Sequence, residues 1–376
     1  MGEHTYFKSL PRTPLVMAAY IGNQNICELL LEAGAKVDFR VRGDATALME
    51  AAGQGHLEIV KFLESKGGDI KKELAGEGTP LLFAARNGQL ESVKYTLGKG
   101  VDVNQVTSGE GTPLLVAARN GQLSTVKYLI NQGAKINQEV RGEGTPLLVA
   151  ARNGHKETLG YLLDKGADIN QNVDGEGTPL LVAARNGHKE TVDYILSKGG
   201  NINQVSRGEG TPLLVAARNG HLETAKFLLS KGAKINQEVR GEGTPLLVAA
   251  RNGHLETAEF LLSKGGDINQ TVQGEGTPLL VAARNGHLET TKFLLSKGAD
   301  INQTVQGEGT PLLVAARNGH LETTKFLLSK GADINQTVQG EGTPLLVAAR
   351  NGHLETTKFL LSKGADINQT VQGEGT

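Results

Sequence analysis

The chain has 376 residues with 39 basic and 40 acidic side chains mixed along its length, so a basic stripe for nucleic acid or an anionic membrane is not expected. Its single cysteine, Cys27, excludes a disulfide framework and fits a reducing compartment. No run approaches the roughly 18 apolar residues of a membrane span, and Met1–Arg12 has no apolar signal core. The expectation is a soluble, cytoplasmic, monomeric chain, and delivery into a host cell is compatible with it. Residues 1–12 form a lead-in. One threonine then recurs every 33 residues, at Thr13, Thr46, Thr79, Thr112, Thr145, Thr178, Thr211, Thr244, Thr277, Thr310 and Thr343, and Thr376 begins another unit. Eleven copies therefore fill residues 13–375. An enzyme needs one irregular constellation of residues, whereas an array offers the same surface again and again.

The copy at Thr310 reads TPLLVAARNGHLETTKFLLSKGADINQTVQGEG. Thr310 can cap a helix, and Pro311 suits the first helical position, where its missing N–H costs nothing. Leu312–Ala316 is a short apolar helix, ended by Asn318-Gly319. A second helix is expected over Leu321–Lys330, with Phe326, Leu327 and Leu328 as its buried face and Gly331 as its stop. Ile334–Gly342 carries β-formers and then Gly-Glu-Gly, which predicts an extended hairpin returning to the next threonine. Neither helix is long enough to be stable alone in water, so stacking on a neighbouring copy is required for folding. With helix layers ~8–10 Å apart, the copies should form a curved rod on the order of 100 Å long. The fold class is an all-α solenoid with hairpin fingers along one edge.

These pieces resemble the ankyrin-repeat family over essentially the whole chain: T-P-L at the first helix, A-A-x-x-G-H between helices, then L-L-x-x-G-A-D-I-N. Two departures are visible. The family's His after T-P-L is Leu in most copies, as at Leu214 and Leu247, and the usual D-x-x-G-x-T finger is replaced by V-x-G-E-G-T, as in Val239–Thr244. The finger is similar to a variant of bacterial arrays, which implies a bacterial source. The resemblance also implies that first helices and fingers line a concave side that binds protein.

Several motifs invite chemistry and have plainer explanations. His56, His155, His188, His221, His254, His287, His320 and His353 share one register. Stacked on the order of 10 Å apart, neighbours cannot share a zinc ion that needs ligands at about 2.0–2.1 Å, so metal binding is rejected. Gly-Glu-Gly-Thr before a helix resembles a phosphate loop. However, Pro removes a donor and Glu puts negative charge where phosphate would sit, so that Glu is expected to serve its own helix dipole. The Asn-Gln-Thr sequons at Asn269, Asn302, Asn335 and Asn368 read as repeat chemistry. Cys27 shares its register with Val60, Val93, Val126, Leu159, Val192 and Ala225, which makes it a small core hydrophobe. Ten of the fifteen aromatics fall 16 residues after the threonine, from Phe62 and Tyr95 to Phe359, and are expected in the core.

The out-of-register aromatics Tyr6, Phe7, Tyr20, Phe39 and Phe83 all lie near the N-terminus. Tyr6 and Phe7 are expected to cover the end of the stack. Arg86, Arg119, Arg152, Arg185, Arg218, Arg251, Arg284, Arg317 and Arg350 form a ladder beside the finger carboxylates Glu77 to Glu341. That ladder either holds an acidic ligand or pairs with itself. The site expected from these residues is a protein-binding surface of Tyr20, Phe39, Arg40, Arg42, Phe83, Arg86 and Arg119, because aromatics and Arg dominate binding energy. No catalytic set, cofactor or metal is expected, and the partner is another protein or peptide. The alternative is a mechanical spacer, which the identical copies at Thr277, Thr310 and Thr343 favour for the C-terminal part.

Overall fold

A computed structural model describes residues 13–41, 45–74 and 76–369, and these hold twenty-two helices, two per repeat. The first helix of a pair has seven or eight residues and the second has nine. The chain forms two compact units, Met1–Val173 and Asp174–Thr376. Within each, successive first helices pack side by side, each on its own second helix, and successive second helices pack less closely. Among the described residues no helix is long and apolar enough to cross a membrane.

The repeat at Thr310 shows how local chemistry sets the pair. Extended Thr310 accepts a hydrogen bond at Oγ1 from the Leu313 amide (3.2 Å), and Pro311 opens the helix Pro311–Arg317. This cap satisfies one of the amides that a helix start leaves without an intrahelical partner. Leu312, Leu313, Val314, Ala315 and Ala316 are each no more than 1% exposed, so nearly every side chain of that helix is core. The chain then turns at Gly319 (φ +71°) into the second helix, Leu321–Ser329.

The second helix departs from the expected face. Leu327 is buried together with Thr323 and Thr324, whereas Phe326 and Leu328 are only half-buried. Positions three and four apart share a helix face, so Leu327, Thr323 and Thr324 turn together toward the paired first helix. Phe326 and Leu328 flank that face, where second helices pack less closely. The same holds along the array: the ten aromatics from Phe62 to Phe359 are half-buried rather than core. The position two residues before the aromatic is core up to Thr324 and half-buried at Thr357, and Cys27, Val60, Val93, Val126, Leu159, Val192 and Ala225 are all fully buried. Burial pushes the Cys27 thiol up from its ordinary value, which disfavours the reactive thiolate. Where Thr324 takes that position, its hydroxyl donates to the His320 carbonyl (3.0 Å) and is satisfied within the helix.

The finger is shorter than the expected hairpin. The Val338 amide donates to the Gly342 carbonyl (3.0 Å) and the Gly342 amide returns to Val338 (2.9 Å), closing one isolated bridge with no strand. Gly340 at φ +80° and Gly342 at φ +101° reverse the chain at once, which leaves no room for a ladder.

Repeats are joined by polar links as well as by core. The Arg284 carbonyl at the end of a first helix would lack an intrahelical donor. It accepts from His320 Nε2 (3.0 Å) and Asn318 Nδ2 (2.9 Å) of the next repeat. The same histidine link joins His56 to Tyr20, His155 to Arg119, His221 to Arg185 and His353 to Arg317. Gly286 makes this approach possible, because a Cβ there would lie 2.5 Å from His320 Nδ1 and φ is +72°. On the finger side, Asn302 Oδ1 accepts from the Asp333 amide (3.0 Å), and Thr304 Oγ1 accepts from Gln336 Nε2 (2.8 Å). The Asn-Gln-Thr sequon is thus spent on inter-repeat bonds.

At the C-terminal repeat the apolar positions that a following copy covers elsewhere are open: Leu346 is 36% exposed and Leu354 62%. Tyr6 and Phe7 lie outside the described residues. The matched pair Leu313 and Leu346 gives a test. Leu313→Ala should cost about 2–5 kcal/mol, whereas Leu346→Ala, at the same register with part of its surface in water, should cost distinctly less. Denaturant unfolding of both variants checks this.

Candidate protein-binding surface

First helices end on the Arg ladder, and the fingers present the carboxylates. Arg119 reaches Glu143 at 2.6 Å and Glu110 at 3.7 Å, while Arg86 pairs with the same Glu110 at 2.7 Å. In the second unit Arg284 lies 2.5 Å from Glu308 and 3.9 Å from Glu275, with Arg251 on the other side of Glu275 at 2.8 Å. Arg284 Nη2 also donates to the Glu275 carbonyl (2.9 Å). Interior members alternate Arg, Glu, Arg, and each is about three-quarters covered. Of the two possibilities for the ladder, self-pairing is the one built. The finger Glu, expected to serve its own helix dipole, is committed to arginines of flanking first helices.

The N-terminal repeats break this pattern. Position seven after the threonine, which carries the ladder Arg, is Tyr20 in the first repeat and Gly53 in the second. Tyr20 is half-buried on Pro14–Ile21, and its carbonyl accepts from His56 Nε2 (3.1 Å). Phe39 follows the helix Gln24–Glu32 and is 58% exposed. Arg40 is half-buried beside it in sequence, and Arg42 lies outside the described residues. Phe83, on Pro80–Arg86, packs against Ala45, Met49 and Leu74 and sits under the Arg86 guanidinium, 5.3 Å from its ring centre. A Cβ on Gly53 would come within 3.3 Å of Phe83, so the missing Arg there makes room for the ring. Phe83, Arg86 and Arg119 are therefore joined through Glu110, whereas Tyr20 lies two first helices away.

One cluster escaped sequence reading. The Tyr95 hydroxyl donates to Glu64, and Lys99 Nζ lies 2.9 Å from the same carboxylate and 5.0 Å from the Tyr95 ring. Burial raises the Glu64 pKa, but the bonds from Tyr95 and Lys99 outweigh it and hold the carboxyl below its ordinary value. The signal was present: Glu64 is the one charged residue 18 positions after the threonine, where every other copy has Leu or Ile.

A family model described as ankyrin repeats (3 copies) matches residues 3–73, 81–173, 170–239, 238–305 and 279–371. The crystal structure of the human ASB11 ankyrin repeat domain is similar, with a TM-score of 0.52 and 29% identity, covering 57% of this chain and 97% of that one. No curated protein matches.

Two outcomes follow from the geometry. Arg284→Ala should cost about 1 kcal/mol and keep much of that effect at high salt, because the pair is largely covered, while the more exposed Arg350 should matter less and be screened more; thermal unfolding with and without added salt reads both. Glu64 has a lowered folded pKa, so its contribution is complete above its ordinary value of 4.5 and is lost as pH falls through the folded value. The stability gap between wild type and Glu64→Gln should therefore be flat near neutral pH and shrink in acid.

Proposed function

We propose, on the premise that this chain belongs to the ankyrin-repeat family, that it is a non-catalytic scaffold binding another protein through its first helices and fingers. The observation that carries the reading is the contrast along that face. Later repeats neutralise their own charge, whereas the first three repeats offer unlike groups, with Phe39 open to solvent and Phe83 beneath Arg86. A partner recognised by position needs unlike contacts, and anchors of this kind supply most hot-spot energy. Tyr20, Phe39, Arg40, Arg42, Phe83, Arg86 and Arg119 form the surface we assign to it. Arg86 and Arg119 act there with their carboxylates in place, presenting planar guanidinium faces rather than free charge.

A second reading applies to the C-terminal part. The copies at Thr277, Thr310 and Thr343 are identical over 33 residues, and their ladder arginines are ion-paired within the array. Those copies suit a spacer that sets distance on the first-helix side.

Co-purification with the chain as bait would supply the partner, and affinity then tests the assignment. Phe39→Ala or Tyr20→Ala should weaken binding by at least about 1–2 kcal/mol, with Arg317→Ala changing it little. Losses spread evenly along the Arg ladder would point to a repetitive acidic ligand and overturn the N-terminal surface.

A further inference from the structure

The half-buried aromatics leave grooves between second helices, on the side away from the Arg ladder. In the second unit one groove of about 520 Å³ is lined by Leu295, Ile301 and Phe326, with Lys292 and Lys330 among its walls. The next, about 450 Å³, repeats the same residue types one copy on, with Leu328, Ile334, Phe359, Lys325 and Lys363. Neither lining contains a carboxylate. Lys330 lies 5.8 Å from the Phe326 ring centre, and Lys325 and Lys363 flank Phe359 at 6.0 and 5.7 Å. Among the described residues no carboxylate lies within ion-pairing distance of Lys330 or Lys363, and Lys292 and Lys325 are held only by exposed partners one turn away, Glu289 and Glu322.

Three other positions of the array differ in this respect. The groove at Phe293 carries Glu259, the one at Phe62 carries Glu28 and Glu32, and the position beside Tyr95 is filled by Glu64. Positive charge without a built-in counter-charge, set against an apolar floor, therefore recurs in two successive grooves at Phe326 and Phe359, and lysines flank the rings of Tyr161 and Phe260 in a similar way. We propose that these two grooves together bind an acidic segment of a partner protein, in which apolar side chains alternate with carboxylates. The apolar residues would enter over Phe326 and Phe359, and the carboxylates would meet Lys330 and Lys363. The apolar lining residues Leu295 and Ile301, and Leu328 and Ile334 one copy on, favour an aliphatic or aromatic side chain over a nucleobase. The two identical grooves suit a ligand that repeats its own pattern, which the first-helix surface of these copies has no free charge to recognise. This site is independent of the N-terminal surface proposed above.

The test uses the full chain and a fluorescein-labelled peptide of alternating aspartate and leucine, read by fluorescence anisotropy. Saturable binding is expected, weakened at least about tenfold in the Lys330→Glu/Lys363→Glu double variant. Both lysines are exposed, so circular dichroism should show an unchanged fold. Asp–Ser and Lys–Leu peptides should bind at least about tenfold more weakly, and Phe39→Ala should leave the Asp–Leu peptide unaffected. Equal binding to the double variant, equal binding of the Asp–Ser peptide, no saturation below about 1 mM, or displacement by an unlabelled oligothymidylate at equal concentration would each overturn the proposal.

Discussion

Helices of seven to nine residues do not persist alone in water, because too few hydrogen bonds form to offset nucleation. Every other property of this chain descends from that constraint. The first helix must be apolar nearly all round, since its own second helix covers one side and neighbouring repeats cover the flanks. Its polar needs must then be met at the ends: Thr310 at the start, and at the finish the His320 and Asn318 side chains of the following repeat. Core and cap are thus both shared property of adjacent repeats, and each compact unit is held by many equivalent seams.

Charge follows the same logic of neighbours. One Arg and one finger Glu per repeat would be an ordinary surface pair of small worth. Placed so that each Glu lies between two Arg, they make a run in which interior groups have partners on both sides. A surface neutralised in this way is specific only where the run is interrupted, and the interruptions are Tyr20 and Gly53, with Phe83 occupying the space that Gly53 leaves. Uniformity and recognition are therefore segregated along the first-helix face.

Helix boundaries were legible because each is set by a residue with a local reason: Thr and Pro at the start, Asn-Gly and Lys-Gly at the stops. Leu321–Lys330 was expected and Leu321–Ser329 is observed. Cys27 was legible too, since its register holds only small and medium side chains, hydrophobes in the first eight copies and threonine in the last three. The aromatics were misjudged because periodicity reports which face of a helix is apolar and says nothing of how far away the neighbouring second helix lies. The finger was overdrawn for a related reason: β-formers such as Val338 promise strands, but two left-handed glycines close the loop first. The Arg ladder remained open between two outcomes until the fingers brought each carboxylate between successive guanidiniums. Glu64 stood out in its register, and only its proximity to Tyr95 and Lys99 gave the departure a meaning.

The socket that Gly286 offers to the His320 ring has a consequence for inheritance. Donor and acceptor of this seam lie in different copies of the same coding unit, so a glycine replaced in one copy is felt by the histidine of the next. Conversely, recombination that gains or loses a whole unit inside a compact block hands each histidine a fresh glycine and a fresh carbonyl, with nothing elsewhere to repair. Copies as alike as those at Thr277, Thr310 and Thr343 are the genetic substrate for such exchange. The length of the array is thereby free to change in steps that the fold does not register as damage.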